Sequence, residues 1–162
     1  MDRKGKLVLK ILGLIAILLI YISNRPSTET ISKGNIWMTD YMLAKNKAKV
    51  ENKHILIFFS GSDWSRPSIE LSRDVFEQEA FKSFAKENLI LLRLDFPKHK
   101  KNLLNVEQAK HNKILAEKFN NQSHFPLVLV IDKNENVLLR TEYKKDGASG
   151  FLAHVEKTLT AF

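Results

Sequence analysis

Three short apolar runs set the tightest limit on how this chain can fold. His54–Ser60 (HILIFFS), Leu89–Asp95 (LILLRLD) and Pro126–Ile131 (PLVLVI) are almost continuously apolar, yet each is too short to make a core helix. Runs of that kind are strands covered on both faces, which requires helices above and below one sheet. A fourth strand is expected at Val137–Glu142 (VLLRTE), joined to the third run as a hairpin by the turn Asp132–Asn136.

Between these runs the apolar spacing becomes helical. Trp37, Tyr41, Ala44 and Ala48 predict a first helix between Thr39 and the polar Glu51-Asn52-Lys53. Ser65-Arg66-Pro67 reads as the serine cap and first-turn proline of a second, and Phe76, Ala80, Phe81, Phe84 and Ala85 continue the spacing to Asn88. Asn105-Val106-Glu107-Gln108 resembles a capping box for a helix to about Phe119, with Ile114, Leu115 and Phe119 on its apolar face. Ser149 is placed to cap a last helix through Leu159, with Phe151, Leu152, Val155 and Leu159 facing inward. The alternation predicts an α/β domain, a central mixed sheet of about four strands with helices on both faces.

The N-terminus is of a different kind. Arg3, Lys4 and Lys6 precede the apolar run Leu7–Ile22, interrupted only by Lys10 and Gly13. A helix over residues 7–22 would span about 24 Å, against the ~30 Å of a bilayer's apolar core. Lys10 can snorkel to one interface and Tyr21 can sit at the other, so the short span is tolerable. Residues 1–23 are therefore expected to be an uncleaved signal anchor, a transmembrane helix crossing the inner or plasma membrane once. The N-terminus would be cytoplasmic and the domain extracytoplasmic, in a periplasm. Secretion after signal cleavage is the alternative, although Tyr21-Ile22-Ser23 makes a poor small-x-small site. Residues 24–35, rich in Ser, Thr, Asn and Pro, read as a linker, which leaves 36–162 as the globular domain.

The net charge of +8 raises the question of a nucleic-acid partner. Residues 1–34 hold six Lys/Arg against two Asp/Glu and residues 35–162 hold 20 against 16, so half the excess belongs to the leader. The remainder is scattered except for Lys98, Lys100 and Lys101, with no binding motif beside it, and nucleic acid is not an expected partner. No cysteine occurs anywhere in the 162 residues, which excludes disulfides, thiolate catalysis, Cys-ligated zinc and iron–sulfur clusters. The histidines, at 54, 99, 111, 124 and 154, show no paired spacing, so neither a metal nor another cofactor is expected. His99 and His111 are expected to face solvent, while His54 begins a strand.

The stretch Phe59-Ser60-Gly61-Ser62-Asp63-Trp64-Ser65-Arg66-Pro67-Ser68 resembles the thioredoxin-like superfamily. It is most similar to the exported bacterial thioredoxin and disulfide-isomerase-like branch, in which a strand ending Phe-Ser-Gly-Ser-Asp-Trp runs directly into Cys-x-x-Cys. Val75-Phe76, Phe81, Phe84-Ala85, Glu87-Asn88, Leu94-Asp95-Phe96-Pro97 and Phe125-Pro126 carry the resemblance along nearly all of 35–162. It implies a thioredoxin fold and a cis peptide bond before Pro126. It also implies that Pro126 faces the motif, with the neighbouring backbone available to pair with an extended substrate. Phe59 stands where thioredoxin proper has a buried carboxylate.

Both redox positions of that motif are serine here, Ser65 and Ser68. Thiol–disulfide exchange needs an attacking thiolate and a second thiol that resolves the mixed disulfide, and neither exists. A hydrolytic use of Ser65 with Asp63 and His124 would need a base against the hydroxyl, and the spacing matches no nucleophile-elbow pattern. Without thiols there remains a docking surface formed by Trp64, Ser65, Arg66, Pro67, Ser68, Phe125 and Pro126. Such a surface suits extended or unfolded polypeptide, or a partner protein, held by added-strand hydrogen bonds. The expected function is a redox-inactive, membrane-tethered binding module with a chaperone or adaptor role. The alternative is a cysteine-to-serine form of an exported thiol–disulfide oxidoreductase or disulfide isomerase, and a third reading is a structural anchor.

Overall fold

The strand β1 (His54–Ser60) is the centre of the sheet. It pairs in parallel with β2 (Leu89–Asp95) and antiparallel with β3 (Leu127–Ile131), which pairs antiparallel with β4 (Val137–Thr141). The order is β2-β1-β3-β4, the four-stranded mixed sheet that the apolar runs predict. These elements belong to a computed structural model that describes residues 36–161. The expected anchor at 1–23 and linker at 24–35 lie outside the described residues. Among the described residues, no helix is long and apolar enough to cross a membrane.

Because side chains alternate along a strand, β1 feeds two cores. Ile55, Ile57 and Phe59 pack with Tyr41, Leu92 and Phe119 on one face, and Leu56 and Phe58 pack with Leu71, Phe76, Phe81 and Phe151 on the other. Burial of each such large side chain stabilises the fold by roughly 1.5–3 kcal/mol. Phe59, fully buried among apolar neighbours, is a packing residue.

The helices follow the predicted order with local corrections. The first, α1 (Tyr41–Glu51), is capped by Asp40, whose carboxylate accepts the Leu43 N–H, so the cap is one residue later than Thr39. Trp37 is not on this helix: it packs on the opposite face of the sheet against Phe58 and Phe76. Met38 between them extends the sheet, its N–H donating to Leu91 O and its carbonyl accepting the Arg93 N–H. His111 does not simply face solvent either, because its Nε2 accepts the Tyr41 N–H at 3.2 Å, at the first turn of α1.

The helical stretch after Ser65 is broken rather than continuous. It comprises α2 (Arg66–Leu71), a π-helical turn over Ser72–Phe76, and α3 (Glu79–Asn88). Gln78 adopts an extended conformation between them, which lets Phe76 and Phe81 both reach the same core. A 3-10 turn at Lys100–Asn102 then precedes α4 (Val106–Phe119). Asn105 caps α4 by accepting the Gln108 N–H at 2.8 Å, but the box is not closed, since the Gln108 amide donates to Thr39 O and Asn112 Oδ1. Leu115 and Phe119 are buried as expected, whereas Ile114 is exposed and Asn112 takes an inward position. The last helix, α5 (Gly147–Leu159), begins after Asp146, so Ser149 lies inside it and does not cap it.

Candidate functional site

At the end of β1 the chain turns through Gly61-Ser62-Asp63-Trp64 into α2. The N–H groups of Trp64 and Ser65 both point to Gly61 O, at 3.3 and 2.9 Å. The turn brings the Trp64 indole against Gly61 so closely that a Cβ there would lie 2.5 Å from Cε2 of the ring. The indole N–H donates to Phe96 O at 2.7 Å, beyond the end of β2. Its ring meets Phe125 edge-on at 5.5 Å between centroids, and Phe125 meets Phe96 in the same way at 5.1 Å. The Lys98 ammonium sits 3.7 Å above the Trp64 ring. Trp64 remains 37% exposed, so the cluster presents an aromatic surface to solvent.

Beneath that surface the two serines form a directed chain of hydrogen bonds. Gly61 N–H donates to Ser68 Oγ at 3.3 Å, the Ser68 hydroxyl to Ser65 Oγ at 3.0 Å, and the Ser65 hydroxyl to Phe125 O at 2.9 Å. Ser65 Oγ also accepts the Ser68 N–H at 3.4 Å as the cap of α2. Both residues are buried, and both hydroxyls are satisfied by the protein itself. Pro67 occupies the first turn of α2 without breaking it, because its missing N–H would have had no helical partner there. Pro126 is buried and the Phe125–Pro126 peptide bond is cis. Arg66 is exposed and reaches back to Glu70 at 2.9 Å.

Trp64, Ser65, Ser68, Phe125 and Pro126 are thus brought together, with Arg66 and Pro67 on the outer turn of α2. His124 and Asp63 are not brought to the Ser65 hydroxyl. The His124 ring pairs with Glu142 at 2.7 Å, and Asp63 accepts from Lys98 N–H, His99 N–H and the Asn102 amide at 2.9 to 3.0 Å. Burial alone would raise the Asp63 carboxyl, but those donors outweigh it and hold it at about 2. Neither group therefore activates Ser65, and among the described residues the hydrolytic arrangement does not form. Among the described residues, no group of three or more His, Asp or Glu side chains can hold a metal ion.

Three supports of the site escape sequence reasoning. Asn120, 1% exposed, donates to His124 O and accepts His124 N–H, which fixes the loop before Pro126. Asp95 accepts from Ser60 Oγ, Ser62 N–H and Ser62 Oγ, tying the end of β2 to the turn. Phe96 supplies a backbone carbonyl to Trp64, for which no side-chain type is diagnostic. The signal for Asp95 and Asp63 is their place beside turn residues, where a short carboxylate accepts backbone N–H groups.

A family model described as thioredoxin-like matches residues 36–133. The disulfide bond reductase DsbH of Chlamydia pneumoniae is 29% identical over 136 residues, which span 84% of this chain and 80% of that protein. The thioredoxin-related protein DsbJ of the same organism is 28% identical over 136 residues, 82% of this chain but only 38% of DsbJ. A solved DsbH oxidoreductase superposes with a TM-score of 0.71 at 29% identity, covering 85% of this chain and 93% of the other. A thioredoxin from Thermus thermophilus, 11% identical, shares the fold with a TM-score of 0.57 over 76% of this chain and 85% of its own.

Proposed function

The chain belongs to the thioredoxin-like family, and from that premise we propose that it is a redox-inactive member that binds extended or unfolded polypeptide, or a partner protein, at the Trp64–Phe125 surface. The observation that carries this reading is the serine chain from Gly61 through Ser68 and Ser65 to Phe125. A thiol pair would have its sulfurs available for exchange, whereas these hydroxyls are spent on holding α2 to the Phe125 loop. What remains for a ligand is the aromatic surface above them and the second lone pair of the Phe125 carbonyl, the first being taken by Ser65, which suits peptide held by strand addition. Residues 7–22 would tether the domain to the membrane with the site outside the cytoplasm. Release of an intact protein lacking residues 1–23 by detergent-free extraction would remove the tether from this reading.

The test is binding of labelled extended peptides by the full chain in neutral detergent micelles, followed by fluorescence polarisation. Trp64→Ala and Phe125→Ala are each expected to weaken binding by about tenfold, the scale of a buried aromatic anchor. Affinity unchanged from the parent in both variants, with the fold intact by circular dichroism, refutes the reading.

A second reading rests on the relatives, one of which is named as a disulfide bond reductase. Ser65 and Ser68 stand 3.0 Å apart, Oγ to Oγ, where a dithiol would serve an exported oxidoreductase or disulfide isomerase. In that case the serines replace cysteines, and restoring both thiols restores the activity.

A further inference from the structure

Three carboxylates of the turn, β2 and α2 are held by neighbouring groups, and the exposed Glu142 pairs with His124 beside Phe125. Asp63 has an 8% exposed side chain and gives its oxygens to the segment 98–102. Asp95 is held by Ser60 and Ser62, and Glu70 by Arg66 and Lys145. By folding over Asp63, the segment places Lys98 on the aromatic cluster and carries Lys100 and Lys101 two and three residues further on, all three exposed. No carboxylate pairs with any of the three among the described residues. Lys98 is held against the Trp64 ring itself, so the positive charge and the apolar anchor form one continuous surface.

We propose that this surface selects acidic polypeptide: an extended segment that places an aromatic or aliphatic side chain on Trp64 and Phe125 and flanking Asp or Glu residues against Lys98, Lys100 and Lys101. The proposal rests on the peptide-binding reading given above and names its ligand class. Charge complementarity of this sort fixes specificity and speeds encounter, and it is weakened by salt. A nucleic acid is disfavoured as the occupant, because the other lysines of the domain are scattered and no nucleic-acid-binding motif accompanies them.

The experiment uses the full chain in neutral detergent micelles and four labelled probes. Three are extended peptides with the same aromatic residue, flanked by Glu, Gln or Lys; the fourth is a single-stranded oligonucleotide. The Glu peptide is expected to bind about tenfold more tightly than the Gln peptide at low salt, with the gap closing as salt rises. The triple variant Lys98→Glu, Lys100→Glu, Lys101→Glu is expected to abolish that preference. If the Gln and Glu peptides bind equally in a Trp64-dependent manner, the charge selection is wrong and the peptide site stands. Should no peptide bind at all, the peptide site fails with it. Binding of the oligonucleotide that is lost in the triple variant, without preference for the Glu peptide, overturns the proposal in favour of that ligand.

Discussion

The Ser65 hydroxyl donates to the carbonyl oxygen of Phe125 at 2.9 Å, across 60 residues of sequence. This bond joins the first turn of α2 to the loop that leads into β3, and both partners belong to the candidate docking surface. Ser65→Ala removes that donor, the cap of α2 and the acceptor for Ser68 at once. We expect a loss of roughly 1–3 kcal/mol, the cost of leaving buried polar groups unpaired. An unchanged urea midpoint would show that the serine chain is not structural.

Replacing Ser65 and Ser68 together by cysteine separates the two functional readings. Their oxygens are 3.0 Å apart, so the pair is expected to form an intramolecular disulfide under oxidising conditions. Reduction of a disulfide substrate by the double variant would support an oxidoreductase whose thiols had been replaced. A folded double variant that forms the disulfide without turnover would support the binding module.

Gly61→Ala tests the packing beneath Trp64. The added methyl would meet the indole at 2.5 to 2.8 Å, so the ring must shift, and its bond to Phe96 O is expected to weaken. A cost of about 1–3 kcal/mol is expected from overpacking, together with a shift in tryptophan fluorescence. Unaltered emission and stability would mean that the ring has room to yield.

Asp63 predicts an acid-sensitive site. Its carboxyl is held at about 2, below the usual 3.8, so the folded state favours the ionised form. The resulting stabilisation is present above the ordinary value and is lost as the pH falls from about 4 through about 2. Glu135, held at about 2 by Lys118 and Lys45, titrates in the same window from the other end of the sheet. Asp63→Asn should be less stable than the parent at neutral pH and lose less on acidification. Parallel curves of melting temperature against pH would contradict this.

Asn120→Ala should cost roughly 1–3 kcal/mol, because the His124 N–H and carbonyl both lose their partner. The neighbouring, exposed Asn121→Ala should change stability by no more than about 0.5 kcal/mol. Equal effects of the two changes on chemical denaturation would remove Asn120 from the supports of the site.

Much of this protein follows from its sequence alone. Seven-residue apolar runs cannot be core helices, so His54–Ser60 and Leu89–Asp95 had to become strands covered on both faces. Ser65 and Asn105 cap their helices by interactions within three residues, which local sequence encodes. The absence of cysteine is enough to exclude dithiol chemistry. Tertiary structure decided which face receives Trp37, where the helix breaks at Gln78, and that Asp63 serves the segment at 98–102 rather than Ser65. Those outcomes depend on the pairing order of the strands, which brings together residues 30 to 70 positions apart, as in Trp64 with Phe96 and Tyr41 with His111. Periodicity reports whether a side chain is buried and in what backbone conformation. Only the assembled sheet determines which distant donor each buried acceptor meets.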